Sequence, residues 1–176
     1  MIQKHDILAA AVKIIEDKGL NNLTLEAIAA EAGVSKGGLL HHFRNKEELI
    51  RGLNERSVEA FQGFVQEEME ATGSYVHSFA KASFKQLNDP DEISMNASML
   101  AAIANYKELL SAWSEEYAAF RQNAAGEKVA IEKSLIVRLV CDGLMFSKMF
   151  HLDPPSEEEQ RLILAELENI MKESKV

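Results

Sequence analysis

At 176 residues the chain sits near one to two small domains and is long enough to bury a real core. Its single cysteine, Cys141, excludes an intramolecular disulfide and any multi-cysteine zinc site, and suits a reducing, cytoplasmic setting. The net charge of −9 comes from one end: residues 1 to 51 hold seven Lys/Arg against seven Asp/Glu, and the rest hold twelve against twenty-one.

No stretch alternates polar and apolar residues between turn signals, so the chain reads as all-α, with about nine helices. The first is expected over Lys4 to Lys18, with Ile7, Leu8, Ala11, Ile14 and Ile15 inward and Gly19 ending it. Thr24 caps a second helix whose Leu25, Ile28, Ala29 and Ala32 form one apolar stripe, and Gly33 follows where the chain must turn with φ above zero. Val34 plugs that turn. Ser35 caps a third helix, in which Leu39 and Phe43 bury one face and leave Lys36, Gly37, Leu40 and His41 outward. Asn45 with Glu48 forms a capping box for a long fourth helix running to about Ala71, a natural lever between domains.

Gly73 and Ser74 break the pattern and start a helix from Tyr75 to Leu87, which Asn88, Asp89 and Pro90 end, and Asp91 can start another. Met95, Met99 and Ile103 mark a helix from Ile93 to about Asn105. Tyr106, Leu109, Leu110, Trp113, Tyr117 and Phe120 mark the next, closed by Ala125 and Gly126. An eighth helix, from Glu127 to about His151, is apolar on more than one face and must be covered on both sides. Pro154 and Pro155 stop it, and Ser156 with Glu159 makes a capping box for the last helix. The N-terminus lacks the basic start and long apolar core of a secretion signal. The most apolar window, Leu135 to Phe150, carries Arg138, Asp142 and Lys148, which argues against a membrane span.

A small residue at the crossing, a turn glycine and an apolar anchor, here Ala29, Gly33 and Leu39, are what a helix-turn-helix requires. With the following Asn45-Lys46-Glu47-Glu48-Leu49-Ile50, residues 4 to 52 resemble the DNA-binding domain of the TetR family of one-component bacterial transcriptional regulators. The resemblance rests on Ala-Gly-Val-Ser-Lys-Gly, then His-Phe, then Lys-Glu-Glu-Leu. It implies a three-helix helix-turn-helix domain over 1–46, followed by a helical effector-binding and dimerisation domain over 47–176.

A helix in the major groove presents its first turns to base edges, so Ser35, Lys36, Gly37, Gly38, Leu40, His41 and His42 are the candidates for readout. Gly37 and Gly38 let backbone amides approach phosphate or base closely. The resemblance places tyrosines commonly at 40 and 42. Leu40 suits a thymine methyl instead, and His42 can still donate to phosphate. His41 and His42 point about 100° apart and cannot jointly hold a metal. By resemblance, Lys46 and Thr24 each contact a phosphate. The acidic remainder lowers non-specific affinity, leaving a few placed cations and backbone donors to carry binding.

TetR-like proteins bind palindromic operators in double-stranded DNA as two-fold homodimers through their last two long helices. Here Leu139, Gly143, Phe146, Ile163, Leu164, Leu167 and Met171 are the candidates for that interface. The family's C-terminal domain also binds a small-molecule effector that shifts the spacing of the two reading heads. The candidates for its lining are Met95, Met99, Tyr106, Trp113, Tyr117, Phe120, Met145 and Met149, suited to a largely apolar ligand, with Arg138, Asp142 or His77 as polar handles. Such stripes are more often ordinary core. The expected function is a dimeric repressor released from its operator by that ligand, the alternative being an activator or architectural DNA-binding protein without an effector. An enzyme finds no support: no phosphate loop, dinucleotide fingerprint, metal-spaced His pair or nucleophile elbow appears, so no catalytic residue, metal or cofactor is expected.

Overall fold

A computed structural model describes residues 3–103 and 110–172, apart from the side chains at 98 and 101–103. The fold is all-α, with nine helices and no strand among the described residues. Backbone contacts divide the chain into two units, Met1–Ser57 with Ser94–Ala112, and Val58–Ile93 with Trp113–Val176.

In the first unit, α1 (Lys4–Lys18) turns Ile7, Leu8, Ala11, Ile14 and Ile15 inward and stops at Gly19, whose φ of 78° favours a residue without Cβ. A short 3-10 turn, Leu20–Asn22, leads to α2 (Leu25–Glu31), packed on α1. Gly33 takes φ 67° and reverses the chain into α3 (Lys36–His42). Ile28, Leu39, Phe43, Leu49, Ile50 and Leu53 share one core with α1. Asn45 Oδ1 accepts from the backbone N–H of Glu48 at 2.8 Å and so opens α4 (Lys46–Thr72). The returning carboxylate of Glu48 accepts from Arg44 N rather than from the cap itself, at 2.8 Å.

In the second unit, α5 (Tyr75–Leu87) packs against α8 (Ile131–Met149) and α9 (Glu157–Lys172), with α7 (Ser111–Ala125) supplying Phe120 and Ala124 to the shared core. Phe61, Phe79 and Phe120 stack edge to face, at centroid distances of 5.3 and 4.7 Å. The capping box before α9 is formed: Glu159 N donates to Ser156 Oγ at 3.3 Å and Ser156 N to Glu159 Oε2 at 2.8 Å.

Two boundaries differ from the sequence reading. Helix α6 spans Pro90–Ile103, one residue before the Asp91 start that the sequence offered and three before the apolar spacing from Ile93, because Asp89 Oδ1 accepts from the N–H groups of Asp91 and Glu92 and Pro90 takes the first helical position. Helix α8 begins at Ile131 rather than Glu127. The Glu127 carboxylate instead accepts from Ser74 Oγ at 2.6 Å and from Tyr75 N, tying the α7–α8 link to the start of α5.

Candidate nucleic-acid interface

The reading unit is held from behind by apolar anchors and from each end by a cap. Thr24 Oγ1 accepts from Ala27 N and Ser35 Oγ from Gly38 N, both at 3.1 Å, so each helix starts at one defined residue. Val34 N donates to Ala29 O at 2.9 Å across the turn, with Ala29 buried at the crossing. Leu39 and Phe43, four apart, are both buried, which fixes the opposite face of α3 outward. Ser35, Lys36, Gly37, Leu40 and His41 are accordingly exposed, and Thr24 is exposed at the start of α2. Gly38, His42 and Lys46 are half-buried. The rings of His41 and His42 meet edge to face at 5.5 Å, so the pair packs as a unit.

Lys36 is not a lone cation: its Nζ lies 2.6 Å from Glu26 Oε1 on α2. That hydrogen bond, ahead of the lysine's charge, holds the Glu26 carboxyl below the usual carboxylate range. In the sequence, Glu26 has only a favourable place in the first turn of its helix, at the positive end of the helix dipole. The partners are ten positions apart, with no helical period carried across the turn, so the contact had no signal in the sequence.

The other candidates are distributed unevenly. Met95 and Met99 are buried in the first unit's core with the α1 and α3 residues, whereas Trp113, Tyr117, Phe120, Met145 and Met149 belong to the second unit. The eight residues expected around one ligand are thus divided, because residues 94 onward in α6 pack with the N-terminal unit. Tyr106 lies outside the described residues. In the second unit Tyr117 donates its hydroxyl to Asp142 at 3.1 Å, and the Arg138 guanidinium lies over the Tyr117 ring at 4.6 Å. Burial, reinforced by the Asp142 charge, pushes the Tyr117 hydroxyl up to about 12. His77, the third handle considered, is turned to Ser74, with Nδ1 2.9 Å from its hydroxyl.

Of the expected interface residues, Leu139 and Phe146 are 59% and 50% exposed, and nothing lies within 4 Å of a Cβ built on Gly143. Leu167 and Met171 are a correction: at 3% and 4% exposed they fill the protomer's own core. Ile163 and Leu164 pack partly against that core. The α9 face that leaves Leu162 exposed is the opposite one, and sequence reading missed it as an interface candidate, together with Ile136 on α8 and Phe150 at its C-terminal cap. The signal was present: Ile136, Leu139, Gly143, Phe146 and Phe150 follow a 3-4-3-4 spacing, the seam of a paired helix. Cys141 is buried, and burial pushes its thiol up to about 12, so it is not a reactive thiolate at neutral pH.

A helix-turn-helix with buried anchors, followed by a helical second unit, is the arrangement of a DNA-binding transcriptional regulator. Residues 7–53 match the family model for bacterial regulatory proteins of the tetR family, and residues 73–172 match the tetracyclin repressor-like C-terminal domain. The chain belongs to the TetR family. It is 35% identical over 48 residues to the HTH-type transcriptional repressor KstR2 of Mycolicibacterium smegmatis, a match covering 27% of this chain and 23% of that protein. The chain therefore spans less than a quarter of that relative. Two solved structures share its fold. The transcriptional regulator SCO7518 of Streptomyces coelicolor has a TM-score of 0.76 at 17% identity, covering 96% of this chain and 98% of that one. The multidrug binding protein EbrR complexed with imidazole has 0.72 at 21%, covering 95% of each. No described helix is long and apolar enough to cross a membrane.

Proposed function

We propose that the chain is a dimeric repressor that binds a palindromic operator and is released from it by a small, largely apolar ligand. Residues 1–46 read the DNA, and residues 47–176 carry dimerisation and effector binding. The observation that carries this reading is the burial of Leu39 and Phe43, which leaves Ser35, Lys36, Gly37, Leu40 and His41 exposed on one face of α3. Leu40 offers an apolar contact for a thymine methyl, and Thr24, His42 and Lys46 reach phosphate on either side.

One such unit reads only a few base pairs, so a symmetric pair is needed for specificity. The exposed stripe Ile136, Leu139, Phe146 and Phe150, with Gly143 among them, supports a helix-to-helix interface about a two-fold axis. For the ligand, Trp113, Tyr117, Phe120, Met145 and Met149 supply apolar surface, and Arg138 with Asp142 supplies a polar handle. Complexes of EbrR with imidazole, malachite green and ethidium support the same kind of site here.

The test is selection of bound duplexes from a random pool. Mirrored arms with half-sites roughly one helical turn apart, or a multiple of it, are expected. A selected sequence without two-fold symmetry overturns the dimeric reading. A footprint on the operator that overlaps a promoter core supports repression, and one lying upstream supports activation instead.

A further inference from the structure

Four of the seven cations in the first 51 residues are already ion-paired: Lys4 with Glu55, Lys13 with Glu31, Lys36 with Glu26 and Arg51 with Glu47. Three of these pairs join residues of α1, α2 and α4 only. The fourth does not. Lys36 is the first residue of α3 and its one Lys or Arg, and its ammonium is held 2.6 Å from a carboxylate on α2. The two side chains are 57% and 65% exposed, so the pair stands in solvent, and the residues flanking Lys36, Ser35 and Gly37, are exposed as well. An exposed ion pair adds little to folding. Its effect falls on whatever approaches that surface.

DNA of any sequence attracts an unpaired lysine equally, because phosphate contacts carry no sequence information. A lysine already paired contributes less to that indiscriminate attraction, since its field at the phosphates is largely cancelled by the neighbouring carboxylate. We propose that Glu26 is a specificity-determining residue: by holding Lys36 it withdraws the reading helix's permanent cation from non-specific phosphate contact. Sequence discrimination then rests on the base-edge contacts of α3. This inference rests on α3 being the helix that reads DNA.

The experiment follows binding of the full-length protein to its selected operator and to a scrambled duplex of equal composition, across a salt series. Glu26→Gln is expected to bind scrambled DNA several-fold more tightly, steepen the log–log salt slope by about 0.9, and lower the operator-to-scrambled ratio. Lys36→Met alone leaves the Glu26 carboxylate without its partner and is expected to weaken binding to scrambled DNA. The double variant is expected to return to the wild-type slope. The proposal is overturned if Glu26→Gln keeps the wild-type slope, or if the double variant is flatter than wild type, which would place Lys36 on phosphate already. It is also overturned if the steeper slope persists in the double variant, since Glu26 would then repel DNA without Lys36. Leu40→Ala and His41→Ala separate the two levels of failure. If both leave the operator-to-scrambled ratio unchanged, α3 is not the reading helix, and the functional reading falls together with this one.

Discussion

Gly52 sits where α4 crosses behind the reading unit, and a Cβ built there would lie 2.9 Å from Phe43 Cε1 and 3.4 Å from Leu8 Cδ2. Phe43 is itself buried, so its ring has little room to give. Alanine in a helix is favoured over glycine by about 1 kcal/mol, but overpacking costs about 1–3 kcal/mol. Gly52→Ala is therefore expected to lower the urea midpoint, whereas Gly63→Ala on the same helix, with nothing within 4 Å, is expected to raise it. Lys46→Ala is expected to weaken binding across all sequences and flatten the salt slope by about one contact. Tyr75 and Tyr117 give a pH signature. Burial, with Glu116 beside Tyr75 and Asp142 beside Tyr117, pushes both hydroxyls up to about 12 from an ordinary 10. Their contribution to stability is fully present below pH 10 and is lost as pH rises toward 12, because the unfolded chain gives up these protons first. Chemical denaturation across that window should show falling stability, and Tyr117→Phe should make the fall shallower.

Helix α8 shows what periodicity can and cannot reveal. Its apolar residues on two faces were legible, and the structure divides them: Val137, Cys141 and Leu144 go to the protomer's core, while Ile136, Leu139 and Phe146, with Phe150 at the helix cap, remain exposed. Leu139→Glu combined with Phe146→Glu is expected to leave the protomer's helicity and stability nearly unchanged, because neither side chain is buried. The same change is expected to weaken self-association at least tenfold in sedimentation, about 1.4 kcal/mol or more. Leu167→Ala, by contrast, opens a core position and is expected to cost about 2–5 kcal/mol of protomer stability. The start of α8 was not legible. Glu127 continues a helical pattern locally, but its carboxylate is engaged by Ser74 and Tyr75, more than fifty residues away in sequence.

At the scale of the whole molecule, titration of Trp113 fluorescence against apolar candidate ligands should report effector binding, with a response expected to be accompanied by release of operator DNA. A ligand that shifts the fluorescence without changing DNA affinity would argue against coupling between the two. What the sequence determined by itself was local: the caps Thr24, Ser35, Asn45 and Ser156, the turn at Gly33, and the inward face of each helix of the reading unit. These depend on residues within one or two turns of each other, and hydrogen-bonding side chains and backbone sterics act at that range. The tertiary structure decided which apolar face meets which neighbour. It placed Met95 and Met99 in the N-terminal core, turned Leu167 and Met171 inward, left Leu139 and Phe146 outside, and brought Glu26 to Lys36. Burial by the hydrophobic effect is non-directional, so an apolar stripe states that it will be covered but not by what.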